Sequence, residues 1–310
     1  MNYPLAVSGP CFLILNLTAG ASEARFKLAL VEPDIRAGQV LEIATRKTEI
    51  AGRTNTVKGE LDTTNTYHTL DFKGRFKIIS WDESWEISRT EIRVEHLLAG
   101  DQSTTNALLE PGTVVICNFV RGDAFYKLPK GVLAANANAA LEQMASFGPG
   151  WTNMHRESKA MRLTEPRKVG ELWEGDPSPA AYDLEKMLGE RPDPKNITMS
   201  AHFNQVTNFF GIDCFDLEEH FRVATACPKY RPLFRVYPLA QNPRIEIELT
   251  HRHIRPFDRG LPYFSSNSFS TRVSAEADEG RVTIRLYMSG TECIEVKLLS
   301  TSGGGADELP

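Results

Sequence analysis

The tightest constraint on the fold is a succession of segments rich in β-branched and aromatic residues that fills the chain up to Val120. These are Cys11–Leu17, Phe26–Val31, Val40–Ile50, Thr54–Leu61, Tyr67–Ile79, Trp85–His96 and Thr113–Val120. Such residues suit a pleated, half-buried surface. Breaks such as Ala51-Gly52-Arg53 and Phe72-Lys73-Gly74 read as turns between them. Strands this numerous, joined by short turns, predict antiparallel sheet curling around an interior.

The pattern then changes. Val132–Phe147 is rich in Ala and Leu and is stopped by Gly148-Pro149-Gly150, which predicts a helix. Residues 151–195 are irregular, with Pro166, Pro177, Pro179, Pro192 and Pro194 and a short helix over Ala180–Leu188, and Trp151 and Trp173 give this stretch partial order. Phe203, Val206, Phe210, Phe215 and Phe221 recur at roughly helical spacing, so Ser200–Phe221 is expected to be a helix. Strands follow at Leu233–Tyr237, Ile245–Ile254, Phe264–Ala277, Arg281–Met288 and Cys293–Leu299, with Glu279-Gly280 and Ser289-Gly290 as turns. The expected division is a β-rich half over 1–150, a connection over 151–195, a second half over 196–300 and a flexible tail over 301–310.

A net charge of −5 and the absence of any Lys/Arg-rich run argue against a nucleic-acid surface. Cys11–Leu17 lacks a basic lead-in and is too short for a signal peptide core or a membrane span, so neither is expected. Five widely spaced cysteines, Cys11, Cys117, Cys214, Cys227 and Cys293, without a C-x-x-C pair suit a reduced, cytoplasmic chain. No P-loop, G-x-G-x-x-G after a strand, G-x-S-x-G or H-E-x-x-H occurs, which disfavours nucleotide-dependent, serine-hydrolase and zincin chemistry.

The segment Ala201-His202-Phe203-Asn204-Gln205-Val206-Thr207-Asn208-Phe209-Phe210 resembles the start of the central helix in acyl-thioester hydrolases and dehydratases of the hotdog superfamily, and Arg255-Pro256-Phe257-Asp258-Arg259-Gly260 resembles that family's turn into its long strands. A weaker echo lies at Ile35-Arg36-Ala37-Gly38-Gln39. The resemblance implies an α+β double hotdog, in which antiparallel sheets wrap a central helix, and pairing of two copies as a homodimer. It implies a small apolar or thioester-linked substrate, carried on CoA or a carrier protein, with no nucleic acid and no membrane. The family's hydrolases carry an Asp about four residues before the histidine, where this chain has Thr198. Dehydration, isomerisation or cyclisation is therefore implied ahead of hydrolysis. In this reading His202 is the acid/base, Asn204 and Gln205 orient the carbonyl or a water, and the helix N-terminus holds the oxyanion.

Other residues enter as candidates. His68, Phe209, Tyr263 and Phe264 are expected to line the substrate cavity, with Phe269 beside them, and Trp81 and Trp85 to cover one end of a barrel. His251 and His253 alternate on one strand face, and with Asp258 they have the look of a metal site in a small β-barrel. The second motif of such a barrel is missing, so neither a metal nor a cofactor is assigned. Asp213, Asp216, Glu218 and Glu219 are expected on a solvated helix face. Two other readings stay open: a two-barrel, lipocalin-like cyclase or isomerase working by cavity shape, and a non-catalytic binder of an apolar metabolite.

Overall fold

The computed structural model describes residues 24–28, 36–57, 60–82, 87–101, 104–120, 123–132, 136, 160–258, 261–277 and 282–301. Within them the strands are β1 (Arg25–Phe26), β2 (Gln39–Val57), β3 (Glu60–Asp82), β4 (Ile87–Gly100), β5 (Thr105–Leu109), β6 (Val114–Val120), β7 (Asp123–Lys127), β8 (Arg167–Lys168), β9 (Leu172–Glu174), β10 (Ile197–Phe209), β11 (Ile212–Ala226), β12 (Gln241–Pro256), β13 (Tyr263–Ala277) and β14 (Val282–Thr301). Two α-helices accompany them, α1 (Ser178–Leu188) and α2 (Arg231–Val236). Among the described residues no helix is long and apolar enough to cross a membrane.

All strands but β1 and β8 belong to one antiparallel sheet in the order β7-β6-β4-β3-β2-β14-β13-β12-β11-β10-β9, with β5 on β4. The sheet is open, with β7 and β9 at its ends. β14 pairs β2 from Val282↔Val57 to Thr301↔Gln39, so strands from both ends of the chain lie side by side. β2, β3 and β14 are 19, 23 and 20 residues long, roughly 60–75 Å of contour at about 3.3 Å per residue.

This architecture replaces both the double hotdog and the two-barrel alternative. No helix runs from Ser200 to Phe221; the segment is the β10–β11 hairpin. Its turn, Phe210-Gly211, has φ of 51° and 85°, the two positive values of a tight hairpin turn. Asn208 Oδ1 accepts the Gly211 N–H at 3.0 Å. A bulge between Phe203 and Gln205 inserts an extra residue in β10. Phe203 and Val206 therefore reach the same face although three apart, which imitates helical spacing.

The expected strand at Leu233–Tyr237 is α2, opened by Pro232. The helix expected at Ala180–Leu188 is seen as α1, closed by Gly189 in the left-handed region. Gly52 and Gly290 are not at turns but inside β2 and β14. A Cβ at Gly52 would run into the Tyr287 ring, and one at Gly290 would run into the Thr48 carbonyl oxygen and stand 2.9 Å from Phe269 Cζ, so each glycine makes room for groups of the neighbouring strands. Cys11–Leu17, most of Val132–Phe147, Trp85, Trp151, Glu279-Gly280 and residues 302–310 lie outside the described residues, while Thr301, expected in the tail, ends β14.

Directly paired residues of an antiparallel sheet share a face. One face carries Leu41, Phe72, Ile92, Phe203, Leu217, Ile245, Val273 and Val296, all buried. Over one end of this covered face lie Leu28, Met161 and Leu163. Over the other lie Leu188 of α1 and Leu233 of α2, on Ile245, Val273, Ala275 and Ile284.

The reverse face is polar. Across β14, β2, β3 and β4 it carries a charge ladder: Lys297 Nζ 3.6 Å from Glu42, Lys73 Nζ 3.2 Å from Glu42 and 3.3 Å from Glu95, and Arg75 Nε 3.1 Å from Glu95. Glu295 sits in this ladder, and burial raises its carboxyl above the usual carboxylate value of 4.5, with Lys297 and Lys73 pulling down and Glu42 pushing up. A carboxyl raised in the folded chain contributes stability below its unfolded value and loses it as pH rises through the folded value. Glu295→Gln is therefore expected to stabilise the chain at neutral pH. The gain vanishes below pH 4.5, which urea melts of both proteins at the two pH values measure.

Candidate functional site

A carboxylate on a buried, apolar strand face needs partners, because burial without them costs several kcal/mol. Glu219 is such a group. On β11 it alternates with Phe215, Leu217, Phe221 and Val223 on the covered face and is 5% exposed. Its direct partner on β12 is His251, and His253 lies two residues further along the same strand. Glu219 Oε2 stands 3.3 Å from His253 Nε2 and 3.8 Å from His251 Nδ1. The imidazole centroids are 3.5 Å apart, and His251 Nε2 is 2.7 Å from the hydroxyl of the buried Ser265. One ligand atom from each of Glu219, His251 and His253 falls within 4.8 Å of the others, so the trio could hold a metal ion.

Beyond the trio, Arg255, also buried, lies over the Tyr263 ring at 4.7 Å. Tyr263 in turn is 6.4 Å from His253. Burial, then His251, then Arg255 hold the His253 imidazole well below the ordinary histidine value. A single cross-strand row continues the polarity: Glu219, His251, Asn267, Glu292 and Lys47 are paired neighbours on β11, β12, β13, β14 and β2. Burial raises the Glu292 carboxyl, with Lys47, Asn267 and His251 opposing.

Glu219 and His251 form the polar floor of a cavity of about 510 Å³ between the sheet and its cover. Its walls are largely apolar, with Met161 from the cover, Ala180 and Leu184 from α1, and Met199, Phe221 and Leu249 from the sheet, while Asp183 of α1 and His220 of β11 add polar groups. The cover is tied down by Trp173 Nε1 donating to the Met161 carbonyl at 2.6 Å and by the Asp176 N–H donating to the Ala160 carbonyl at 2.7 Å.

The residues singled out in the sequence are dispersed. His202 pairs with Glu218 on the reverse face, in mid-strand, with no helix N-terminus beside it. Asn204 and Gln205 donate to the two oxygens of Asp216, each at 3.3 Å. Phe209 and Phe264 meet at 6.5 Å in the hairpin region. His68 lines a different cavity, of about 700 Å³, with Glu49, Phe269 and Gly290. Only Tyr263 adjoins the buried trio. His251 and His253 share a face as expected, yet their carboxylate is Glu219 and not Asp258, which is exposed beyond the end of β12. Glu219 and Asp216 are buried, not solvated. Read as a strand, 212–226 would have placed Glu219 among apolar residues, and that was the available signal.

No protein-family model matches the chain, and no curated protein matches it in sequence. Among solved structures it is similar to lipovitellin, described for its lipid–protein interactions, at 8% identity and a TM-score of 0.32 over 89% of this chain and 27% of that one. The chain thus spans about a quarter of that protein's length. It is similar to a DUF1329 family protein of Desulfovibrio piger at 13% identity, 84% and 87% coverage and a TM-score of 0.17. An outer membrane channel of Pseudomonas putida gives 6%, 86% and 97% coverage, and 0.18. At these scores the likeness is that of one large antiparallel sheet to others, and residues 201–210, a strand, lack the helix that the thioesterase and dehydratase resemblance requires.

Proposed function

We propose that the chain binds a small, largely apolar molecule with one polar end, received in the cavity between α1 and the sheet. The observation that carries this reading is the cavity itself, largely apolar on its walls, with Glu219, His251, His220 and Asp183 as the polar residues of its lining. About 510 Å³ lies within the range of small-molecule sites, and a few polar groups in an apolar cleft are what orient such ligands. A carboxylate and an imidazole at the cavity floor, backed by the buried His253 3.3 Å from Glu219, support an enzyme over a passive carrier, since one hydrogen-bonding group would suffice to anchor it.

The test uses a neutral naphthyl ketone whose emission moves to the blue in apolar surroundings. Titration into the wild-type chain is expected to give a saturable blue shift. Ala180→Trp and Leu249→Trp each fill the cavity and are expected to weaken binding at least about tenfold, or 1.4 kcal/mol, with the far-ultraviolet circular dichroism unchanged. Wild-type affinity in both variants would overturn the reading.

A further inference from the structure

We propose that Glu219, His251 and His253 form a binding site for a divalent first-row transition ion of the zinc type, open toward the cavity. The inference deepens the reading of that cavity by naming its inorganic component.

The geometry suits such an ion. Metal–ligand bonds of about 2.0–2.2 Å at tetrahedral angles place donor atoms roughly 3.3–3.6 Å apart. The two separations from Glu219 Oε2 are 3.3 Å and 3.8 Å and all three donor atoms lie within 4.8 Å of one another, so closing on an ion takes side-chain torsions that move a donor by up to about an ångström. Two of the ligands lie at alternate positions of β12 and the third directly across on β11. The sheet ladder therefore fixes their spacing before any ion arrives. Two imidazoles with one carboxylate are a donor set for zinc, cobalt, iron or nickel, whereas calcium and magnesium take oxygen.

The surroundings agree in two respects. With His251 Nε2–H donated to Ser265 Oγ at 2.7 Å, Nδ1 turns its lone pair toward Glu219, the kind of outer hydrogen bond that orients a metal-bound imidazole. The protein supplies three ligands and no fourth among the described residues, while Glu219 and His251 line the cavity. Three protein ligands plus a position left for water or substrate is the pattern of a reactive rather than a structural centre. Two features moderate the affinity. The Arg255 guanidinium is a positive neighbour of His253, and His253 Nδ1 is buried with no hydrogen-bond partner to orient the ring.

The whole chain, stripped with a chelator and returned to metal-free buffer, is titrated with Co²⁺ and followed by the visible absorption of the ion in a low-symmetry nitrogen–oxygen site. One ion per chain is expected, displaced by Zn²⁺. Glu219→Gln and His253→Gln are each expected to weaken binding at least about tenfold, and His202→Gln, on the reverse face, to leave it unchanged. His251→Gln, at the least buried of the three positions, serves as the second test should the other variants fail to fold. Absence of a saturable Co²⁺ signal in the wild-type chain, or wild-type affinity in folded Glu219→Gln or His251→Gln, would overturn the site. Ketone-probe binding needs no metal, so a failed metal titration with intact probe binding sinks this inference alone.

Discussion

Phe203→Ala is expected to lower the stability of the chain by about 3–5 kcal/mol, the usual cost of removing a fully buried phenylalanine and leaving a cavity. Phe203 is 0% exposed and belongs to the layer formed with Leu28, Leu163, Phe215 and Leu217. Its ring meets Phe26 edge to face at 5.7 Å. Collapse around the gap is restricted, because the Phe203 backbone is held on its outer side as well. Its N–H donates to the Glu171 carbonyl at 3.0 Å, and its carbonyl accepts the Gly170 N–H at 2.7 Å. Urea denaturation measures the loss. A change below about 1 kcal/mol would mean that the cover over this end of the sheet does not pack as described.

Asp216→Ala is expected to cost about 2–3 kcal/mol. Asp216 is 1% exposed and accepts four hydrogen bonds, from Arg252 Nε at 2.8 Å and Nη2 at 2.6 Å and from Asn204 and Gln205 at 3.3 Å each. Removing one partner of a buried ion pair costs about 3–5 kcal/mol. The Arg252 side chain is 43% exposed, however, and regains water, so the figure is lower. Asp216→Asn keeps two acceptor sites on one oxygen and is expected to recover part of the loss. The companion result concerns the pair once read as catalytic: Asn204→Ala with Gln205→Ala is expected to lower stability while ketone-probe binding stays at the wild-type level. Urea melts and probe titrations on the same samples separate the two effects.

The strands themselves were legible wherever β-branched and aromatic residues alternate with polar ones. Tyr67–Ile79 falls in β3, Ile245–Ile254 in β12, and Phe264–Ala277 in β13. Their lengths were not, because a glycine in a sequence ordinarily marks a turn. Gly52 sits in mid-strand because of Tyr287, and Gly290 because of the Thr48 carbonyl and Phe269, all on neighbouring strands, and no local reading contains those neighbours. The 200–221 segment failed for a different reason. One bulge shifts the alternation by a residue, and a phenylalanine at a positive φ occupies a turn position that usually signals itself with Asn or Gly.

The candidate site was half legible. The i, i+2 histidines declare a shared face by strand geometry alone. Their carboxylate comes from another strand, 32 residues earlier by the His251–Glu219 register, and it is chosen by pairing. Reading 200–221 as a helix hides it, since helical periodicity puts Glu219 with Asp216 on a polar side. Both residues are in fact buried, on opposite faces of one strand.

The junction of β14 with β2 has a consequence for how the chain is made. A ribosome releases β2, β3 and β4 long before β14 exists, so the β2 edge, ready to accept a partner along its length, must wait through the synthesis of everything between. An unmatched strand edge recruits whatever strand it meets, including one from a second nascent copy. Safe maturation of this molecule thus depends on its last long strand arriving to fill that vacancy, and a chain truncated before Val282 would keep the edge exposed for good.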